Sequence, residues 1–334
     1  MGRTFLVLRF SALGDVALAV PVLKQVVASN PDAHFIMVSD CKWADVFHGI
    51  ERVRFQGFDL QKKYRGFLGI ISIYRFLLIN YQFEAVADLH SVIRTHILKI
   101  LFFFSGKEIA SVDKGRLQKT MLTRKNNKQL YQLPHTTERY LKVFEQLGLS
   151  VNCQQLTADM IQVKKGSSAI KKIGFAPFAK HPLKMYPLDR MLQVIEYFNK
   201  EGFELYFFGS GLKEREYIHT WDKKFQHAVQ LPESATLNDE LSMMRNLDVM
   251  VSMDSGNMHL ASMVGVPVVS IWGPTHPYAG FYGHGQDPDN AVQESLACRP
   301  CSVFGNKACW RGDHACMRRI KSEDIILKIE ELLN

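Results

Sequence analysis

The sequence predicts an α/β protein of two Rossmann-like domains facing across a cleft, and three observations lead there. The chain has 334 residues, more than one hydrophobic core usually serves. Strand-like apolar runs alternate with helix-like ones, the pattern of parallel sheets with crossover helices. The pattern restarts after a short basic stretch, "VKKGSSAIKK" (163–172). The expected division is therefore an N-terminal domain over 1–165 and a C-terminal one over 166–334, whose last helix is a candidate to pack back on the N-terminal domain. With 47% apolar and 22% charged residues, the composition is that of a folded globular chain and argues against disorder.

In the first half "TFLVLRF" (4–10) reads as a buried strand and "DVALAVPVLKQVVASN" (15–30) as a helix with apolar residues at helical spacing. "AHFIMVSD", "FEAVADLH" and "KEIASVD" are further strands of the buried kind. "HTTERYLKVFEQLGLS" (135–150) is a helix opened by Thr136 or Thr137 and closed at Gly148. In the second half "IGFAPFA" (173–179) is a strand and turn, and "PLDRMLQVIEYFNKEG" (187–202) is a helix between Pro187 and Gly202. "FELYFFGSG" is a strand ending in glycines, "KEREYIHTWDKKF" and "LNDELSMMRNL" are helices, and "DVMVSMDSG" is another strand end. In such sheets ligands bind beyond the carboxyl ends of the strands.

The net charge of +8 favours an anionic partner: nucleic acid, an anionic membrane surface or a phosphorylated substrate. Lys114, Arg116, Lys119, Arg124, Lys125 and Lys128 crowd one stretch, which also reads as a solvated loop. The apolar start is broken by Arg9 and Asp15 and lacks a small-residue cleavage site, so no signal peptide is expected. "GFLGIISIYRFLLIN" (66–80) is too short to span a bilayer and is interrupted by Arg75.

Polar residues concentrate at two strand-to-helix turns. "VMVSMDSGNMHLASM" puts Asp254, Ser255 and Gly256 at a strand end and His259 on the following helix. A Ser-Gly pair at a helix N-terminus lets phosphate oxygens approach the main chain, and the macrodipole favours their charge. Simple helix capping would use Asp254 and Ser255 but would not require His259. "RFSALGD" repeats the arrangement with Ser11, Gly14 and Asp15, where Asp15 is a cap or a general base. Its S-x-x-G-D pattern is not G-x-G-x-x-G, and no G-x-x-x-x-G-K-[ST] loop occurs, which disfavours a NAD enzyme or an ATPase.

"RFSALGDVALAVPVL", "DLHSVIRTHIL", "HTTERYLKVFEQLGL", "PLKMYPLDRM", "FFGSGLKERE" and "VSMDSGNMHLASMVGVPVVSIWGPTHPYAGF" together resemble glycosyltransferase family 9, the lipopolysaccharide heptosyltransferases that use ADP-heptose. The resemblance covers nearly the whole chain. It implies a GT-B fold, with the acceptor held mainly by the N-terminal domain and the nucleotide sugar by the C-terminal one. It also implies an inverting transfer that requires no metal or other cofactor for catalysis. By this resemblance Asp15 is the base that takes the acceptor proton, and Ser11 and Gly14 stand in the loop near the diphosphate, where Ala12 replaces a common second serine. Lys184, before Tyr186 and Pro187, neutralises the leaving diphosphate. Glu214 lies near the nucleoside ribose. Asp254, Ser255, Gly256 and His259 match a D-[ST]-G-x-x-H turn facing phosphates and sugar, Thr275 borders that pocket, and Arg94 faces an anionic acceptor. The physics agrees: breaking a glycosyl phosphate bond builds negative charge on the diphosphate, which fixed donors stabilise.

The implied partners are a nucleotide sugar and a lipid-linked glycan acceptor, not nucleic acid. The implied location is the cytoplasm, peripheral to the inner membrane. Lys62, Lys63, Arg65 and Arg75 around Phe67, Leu68 and Phe76 suit an interfacial helix, or equally a packed helix of the N-terminal domain. Cys298, Cys301, Cys309 and Cys316, spaced x2, x7 and x6, can wrap a tetrahedral structural zinc, with His314 as a further ligand, or else stand as reduced thiols or include a disulfide pair. Cys41 and Cys153 read as ordinary buried residues. Two other readings stand beside the transferase: a basic nucleic-acid-binding protein with a zinc module, and a catalytically idle GT-B-like scaffold.

Overall fold

A computed structural model describes residues 2–152, 170–232 and 234–334. It contains two compact units, each built on a parallel five-stranded sheet. The first unit runs to Gly115 and resumes at Thr136; the second takes Arg116–His135 and the C-terminal half of the chain. In this division residues 116–135 group with the second unit. Part of the expected boundary stretch, 163–169, lies outside the described residues, as does Cys153.

In the first unit the strands are β1 (Thr4–Leu8), β2 (His34–Asp40), β3 (Val53–Phe58), β4 (Ala85–Asp88) and β5 (Glu108–Ser111), in the order β3-β2-β1-β4-β5. Helices α1 (Leu13–Ala17), α2 (Ala19–Ser29), α3 (Gly66–Asn80) and α4 (Ile93–Phe104) connect them. Helix α5 (Arg116–Thr123) belongs to the second unit and α6 (Thr136–Gln146) to the first. The stretch expected as one helix over 15–30 begins earlier, at Leu13, and is divided at Leu18. Strand β3 was not anticipated, since "VRFQGF" carries a glycine and two polar residues. Leu6, Leu8, Ile36, Val38 and Val86 of the sheet pack with Ile70, Ile73 and Leu77 of α3 and Leu98 and Phe102 of α4. Each such side chain contributes about 1.5–3 kcal/mol on burial.

In the second unit the strands are β6 (Lys172–Ala176), β7 (Glu204–Phe207), β8 (Val249–Met253), β9 (Val268–Trp272) and β10 (Ala291–Gln293), in the order β10-β9-β8-β6-β7. The helices are α7 (Leu188–Lys200), α8 (Leu212–Lys224), α9 (Leu237–Met244), α10 (Gly256–Met263), α11 (Ala315–Arg318) and α12 (Ser322–Leu333). Helix α7 follows Pro187 and stops before Gly202, whose φ of 82° suits glycine. Its Met191, Val194, Ile195 and Phe198 follow a helical stripe and bury against Ile173, Phe175, Val249 and Val251. Ile325 and Ile329 bring α12 into the same core.

Each sheet reverses its strand order once, between β1 and β4 and between β6 and β8. Crevices at the carboxyl ends of such strands are where doubly wound sheets bind ligands. Among the described residues, no helix is long and apolar enough to cross a membrane.

Candidate functional site

At the reversal point of the first sheet, the chain leaves β1 through Arg9, Phe10 and Ser11 and enters α1, whose third residue is Asp15. Asp15 does not cap that helix: Ala12 holds the capping position and makes no side-chain cap bond. Its Oδ2 instead lies 2.7 Å from Arg9 Nη2. Arg9 is buried, donates from Nη1 to the Leu89 carbonyl at 2.7 Å and lies 5.8 Å from the centre of the Tyr140 ring. The Tyr140 hydroxyl donates to the Asp15 carbonyl at 3.5 Å, and burial pushes its pKa upward. A rigid, cationic wall therefore backs the Asp15 carboxylate, which remains partly open to solvent.

Beside it, Asp88 closes β4 with no exposed surface. Its Oδ1 accepts from the His90 and Ser91 amides at 2.9 Å each, and Lys99 Nζ lies 3.0 Å from its Oδ2. This shapes the turn that presents His90 and Arg94. The His90 Nδ1 accepts from the Phe10 amide at 3.4 Å. Burial, helped by Arg9, Lys114 and Arg94, lowers its pKa to about 2, so it is neutral. Arg94 lies 5.8 Å from the Phe10 ring centre, so the structure places Ser11, Gly14, Asp15 and Arg94 around the ends of β1 and β4. Arg9, Asp88, His90 and Tyr140 are additions to the expected set. The signal for Arg9 was a charge closing an otherwise apolar strand.

At the reversal point of the second sheet, Lys184 follows β6 in a short helical turn (Pro182–Lys184) and Asp254 follows β8. Lys184 Nζ lies 2.7 Å from Asp254 Oδ2, and both side chains are largely buried. Gly305, at φ 73°, lies against the lysine stem: a Cβ there would run into Lys184 Cγ and Cδ. Ser255 starts α10 without a side-chain cap bond, so capping does not account for the Asp-Ser-Gly turn. His259 is buried with neither ring nitrogen hydrogen-bonded, and Asp254 Oδ1 and Thr275 Oγ1 are likewise buried without a partner. Burial, then His135 and Lys184, lower the His259 pKa to about 3.

Buried polar groups without partners are uncommon and costly. Four such atoms sit on Asp254, His259 and Thr275, at the ends of the neighbouring strands β8 and β9. The Thr275 loop is anchored by buried Arg299, which donates to the carbonyls of Gly273, Glu294 and Thr275 and to Gln293 Oε1. Arg299 was not foreseen, because nothing local distinguishes it from a surface arginine. Glu214 lies in the first turn of α8: its Oε2 accepts from the Ser210 and Gly211 amides at 2.8 and 3.1 Å, so one oxygen braces the glycine loop after β7.

Two other expectations change. Among the described residues, no three His, Cys, Asp or Glu side chains gather to hold a metal ion. Cys298, Cys301, Cys309 and Cys316 are free thiols lining one small cavity beside Trp310 and His314. Cys301 Sγ turns to the Pro274 carbonyl at 3.7 Å, and burial raises the Cys316 pKa to about 11. Of the open readings, the structure thus shows the four as thiols around one cavity and assigns them no metal. Cys41, expected to be buried, is exposed. The basic stretch is also partly consumed inside the second unit: Lys128 Nζ donates to the carbonyls of Cys298 and Pro300, and Lys125 lies 4.7 Å from the Trp310 ring centre.

Two Rossmann-like units, each with a parallel sheet and with polar groups gathered at its reversal point, make up a GT-B glycosyltransferase fold. The family model of glycosyltransferase family 9 (heptosyltransferase) matches residues 76–308, and the chain belongs to that family. It is similar to lipooligosaccharide heptosyltransferase 2 of Haemophilus influenzae, 30% identical over 112 residues. That match spans 31% of this chain and 32% of the relative. Among solved structures it resembles the family 9 glycosyl transferase of Veillonella parvula, with a TM-score of 0.74, 21% identity and coverage of 99% and 97% of the two chains. It also resembles the E. coli heptosyltransferase WaaC with ADP, with a TM-score of 0.69, 18% identity and 99% coverage of both chains.

Proposed function

We propose that this chain transfers a heptose from ADP-heptose to a lipid-borne glycan acceptor of the lipopolysaccharide core, with inversion at the sugar carbon. The observation that carries the reading is the Lys184–Asp254 pair at 2.7 Å, set among buried polar atoms of Asp254, His259 and Thr275 that lack partners. A sugar phosphate supplies what those atoms lack: phosphate oxygens to accept from His259 and Thr275, and sugar hydroxyls to donate to Asp254 Oδ1. Family membership and the names of the relatives support the nucleotide sugar as that ligand.

In the proposed step, Asp15 accepts the proton of the acceptor hydroxyl as its oxygen bonds to the sugar C1. The C1–O bond to the diphosphate breaks, and its electron pair leaves with ADP. Lys184 and the main-chain amides at the start of α10 stabilise that negative charge. Because the chain itself supplies this positive potential, the step is written without a metal. Glu214, through its free oxygen, is assigned to the nucleoside ribose, Ser11 and Gly14 to the loop near the diphosphate, and Arg94 to anionic groups of the acceptor. The acceptor-binding role falls to the first unit and the nucleotide-sugar role to the second. An acceptor anchored in lipid places the enzyme in the cytoplasm at a membrane surface, with no role for nucleic acid.

The test is turnover with a panel of nucleotide sugars, read by mass spectrometry of the acceptor, alongside ADP binding by calorimetry. Transfer from ADP-heptose with ADP bound by the wild type supports the reading. Binding of oligonucleotides in preference to ADP would replace it with the nucleic-acid reading. Full ADP binding with no transfer from any donor would favour the idle scaffold.

A further inference from the structure

Helices α3 and α4 are apolar on two faces, and only one is explained by the core. Ile70, Ile73 and Leu77 of α3 and Leu98 and Phe102 of α4 pack inward. A second stripe runs along the outside of α4: Ile93, Ile100 and Phe103, joined by Phe104, follow the spacing of one helical face and point away from the sheet. On α3, Phe67, Leu68 and Ile79 do the same. These seven side chains are 57–82% exposed. The two helices lie side by side, since the Tyr74 hydroxyl and Ser105 Oγ are 2.6 Å apart and the Tyr74 and Phe102 rings are 5.3 Å apart. The outward stripes therefore belong to adjoining surfaces. Single exposed apolar residues are ordinary, whereas a gathering of this size marks an interaction surface.

Charge identifies the partner. Neither helix contains an Asp or Glu, and the turn before α3 adds Lys62, Lys63 and Arg65, all exposed, with exposed Arg75 on the outer face of α3. Such a face repels a second copy of itself, because its cations would meet cations. It suits an anionic lipid surface, into which apolar side chains insert while lysines and arginines reach the headgroups.

We infer that the outer faces of α3 and α4 dock this protein on an anionic lipid bilayer, with Ile100, Phe103 and Phe104 entering the headgroup boundary and Lys62, Lys63, Arg65 and Arg75 holding it by charge. The inference deepens the reading of a lipid-borne acceptor. Its test involves no sugar transfer, so the two fail separately.

The full chain is sedimented with vesicles of phosphatidylcholine alone and of phosphatidylcholine with phosphatidylglycerol, at low and high salt. Binding is expected only to the anionic vesicles and is expected to weaken with salt. The triple change Ile100→Ser, Phe103→Ser and Phe104→Ser should reduce it about tenfold or more. A second variant, Lys63→Glu with Arg75→Glu, keeps the apolar stripe and should abolish the preference for anionic lipid. All five positions are exposed, and unchanged thermal unfolding of both variants shows that the fold is kept. Absence of binding by the wild type overturns the inference, as does binding that neither variant alters. So does a wild-type dimer that the triple change converts to monomer, since a second copy would then be the occupant.

Discussion

The Arg9 guanidinium lies 2.7 Å from the Asp15 carboxylate, and the arginine is buried while the carboxylate is partly open. The pair joins the end of β1 to the first turn of α1 and uses one carboxylate oxygen, Oδ2, leaving Oδ1 for a substrate hydroxyl. Asp15→Asn should therefore do two things. It should reduce turnover by a factor of about 100 or more, the scale of general-base catalysis. It should also lower stability by roughly 1–3 kcal/mol, because a buried charge loses its counter-ion, an effect moderated by the solvent that reaches Asp15. Turnover assays and urea unfolding check both parts, and wild-type turnover in the variant excludes Asp15 as the base.

Lys184 should matter for the diphosphate and not for the acceptor. Replacing it by Met is expected to weaken ADP binding at least about tenfold, the lower end for a charge-assisted hydrogen bond. Isothermal titration reads the change directly. An unaltered ADP affinity would mean that the lysine serves only Asp254.

Gly305 tests the same lysine from behind. Gly305→Ala places a methyl against the Lys184 stem and forces a non-glycine residue to a φ of 73°. The expected cost is about 1 kcal/mol of stability from the backbone, with weaker ADP binding as the lysine is pushed from its position. Thermal unfolding and titration separate the two effects, and full ADP affinity with lowered stability would confine Gly305 to a backbone role.

Acid should destabilise the protein through its buried histidines. Burial lowers His90, His135 and His259 to about 2, 4 and 3, whereas the unfolded chain titrates near 6.5. Below that value the unfolded chain binds more protons than the folded one. The stability is present in full above about pH 6.5 and is lost as the pH falls, by about 1.4 kcal/mol per pH unit for each histidine until its folded value is reached. The unfolding midpoint should drop between about pH 7 and pH 5, and His259→Gln should make the drop shallower. A flat profile over that range contradicts the buried, neutral assignment.

Thiol chemistry should follow exposure. Cys41 is exposed, while burial raises the pKa of Cys301 and brings that of Cys316 to about 11. Iodoacetamide at neutral pH should therefore label Cys41 well before Cys316, as peptide mass spectrometry can show. Equal rates would place Cys316 in a far more polar setting.

Much of the fold could be read from local pattern. Pro187 and Gly202 bracket α7, and the apolar runs of β1, β2, β4, β8 and β9 announce buried parallel strands, because each signal is carried by neighbouring residues under one periodicity. The short β3 and β10 were not legible: a glycine and polar residues interrupt one, and three residues are too few to show alternation in the other. Asp15, Lys184 and the Asp254–His259 turn stood out as polar groups at strand ends or through a family pattern, while Arg9, His90 and Arg299 did not.

Residue order and periodicity alone determined the alternating α/β plan, the two parallel sheets and the two polar strand ends. Only the folded chain decided which polar groups meet. Lys184 and Asp254 are partners because β6 and β8 are neighbours in the sheet, and residues 116–135 belong to the second unit through contacts such as Lys128 with the Cys298 carbonyl. It also decided that the second apolar stripe of α4 faces outward. Periodicity reports the faces of one element, whereas pairing and exposure depend on what the rest of the chain brings against each face.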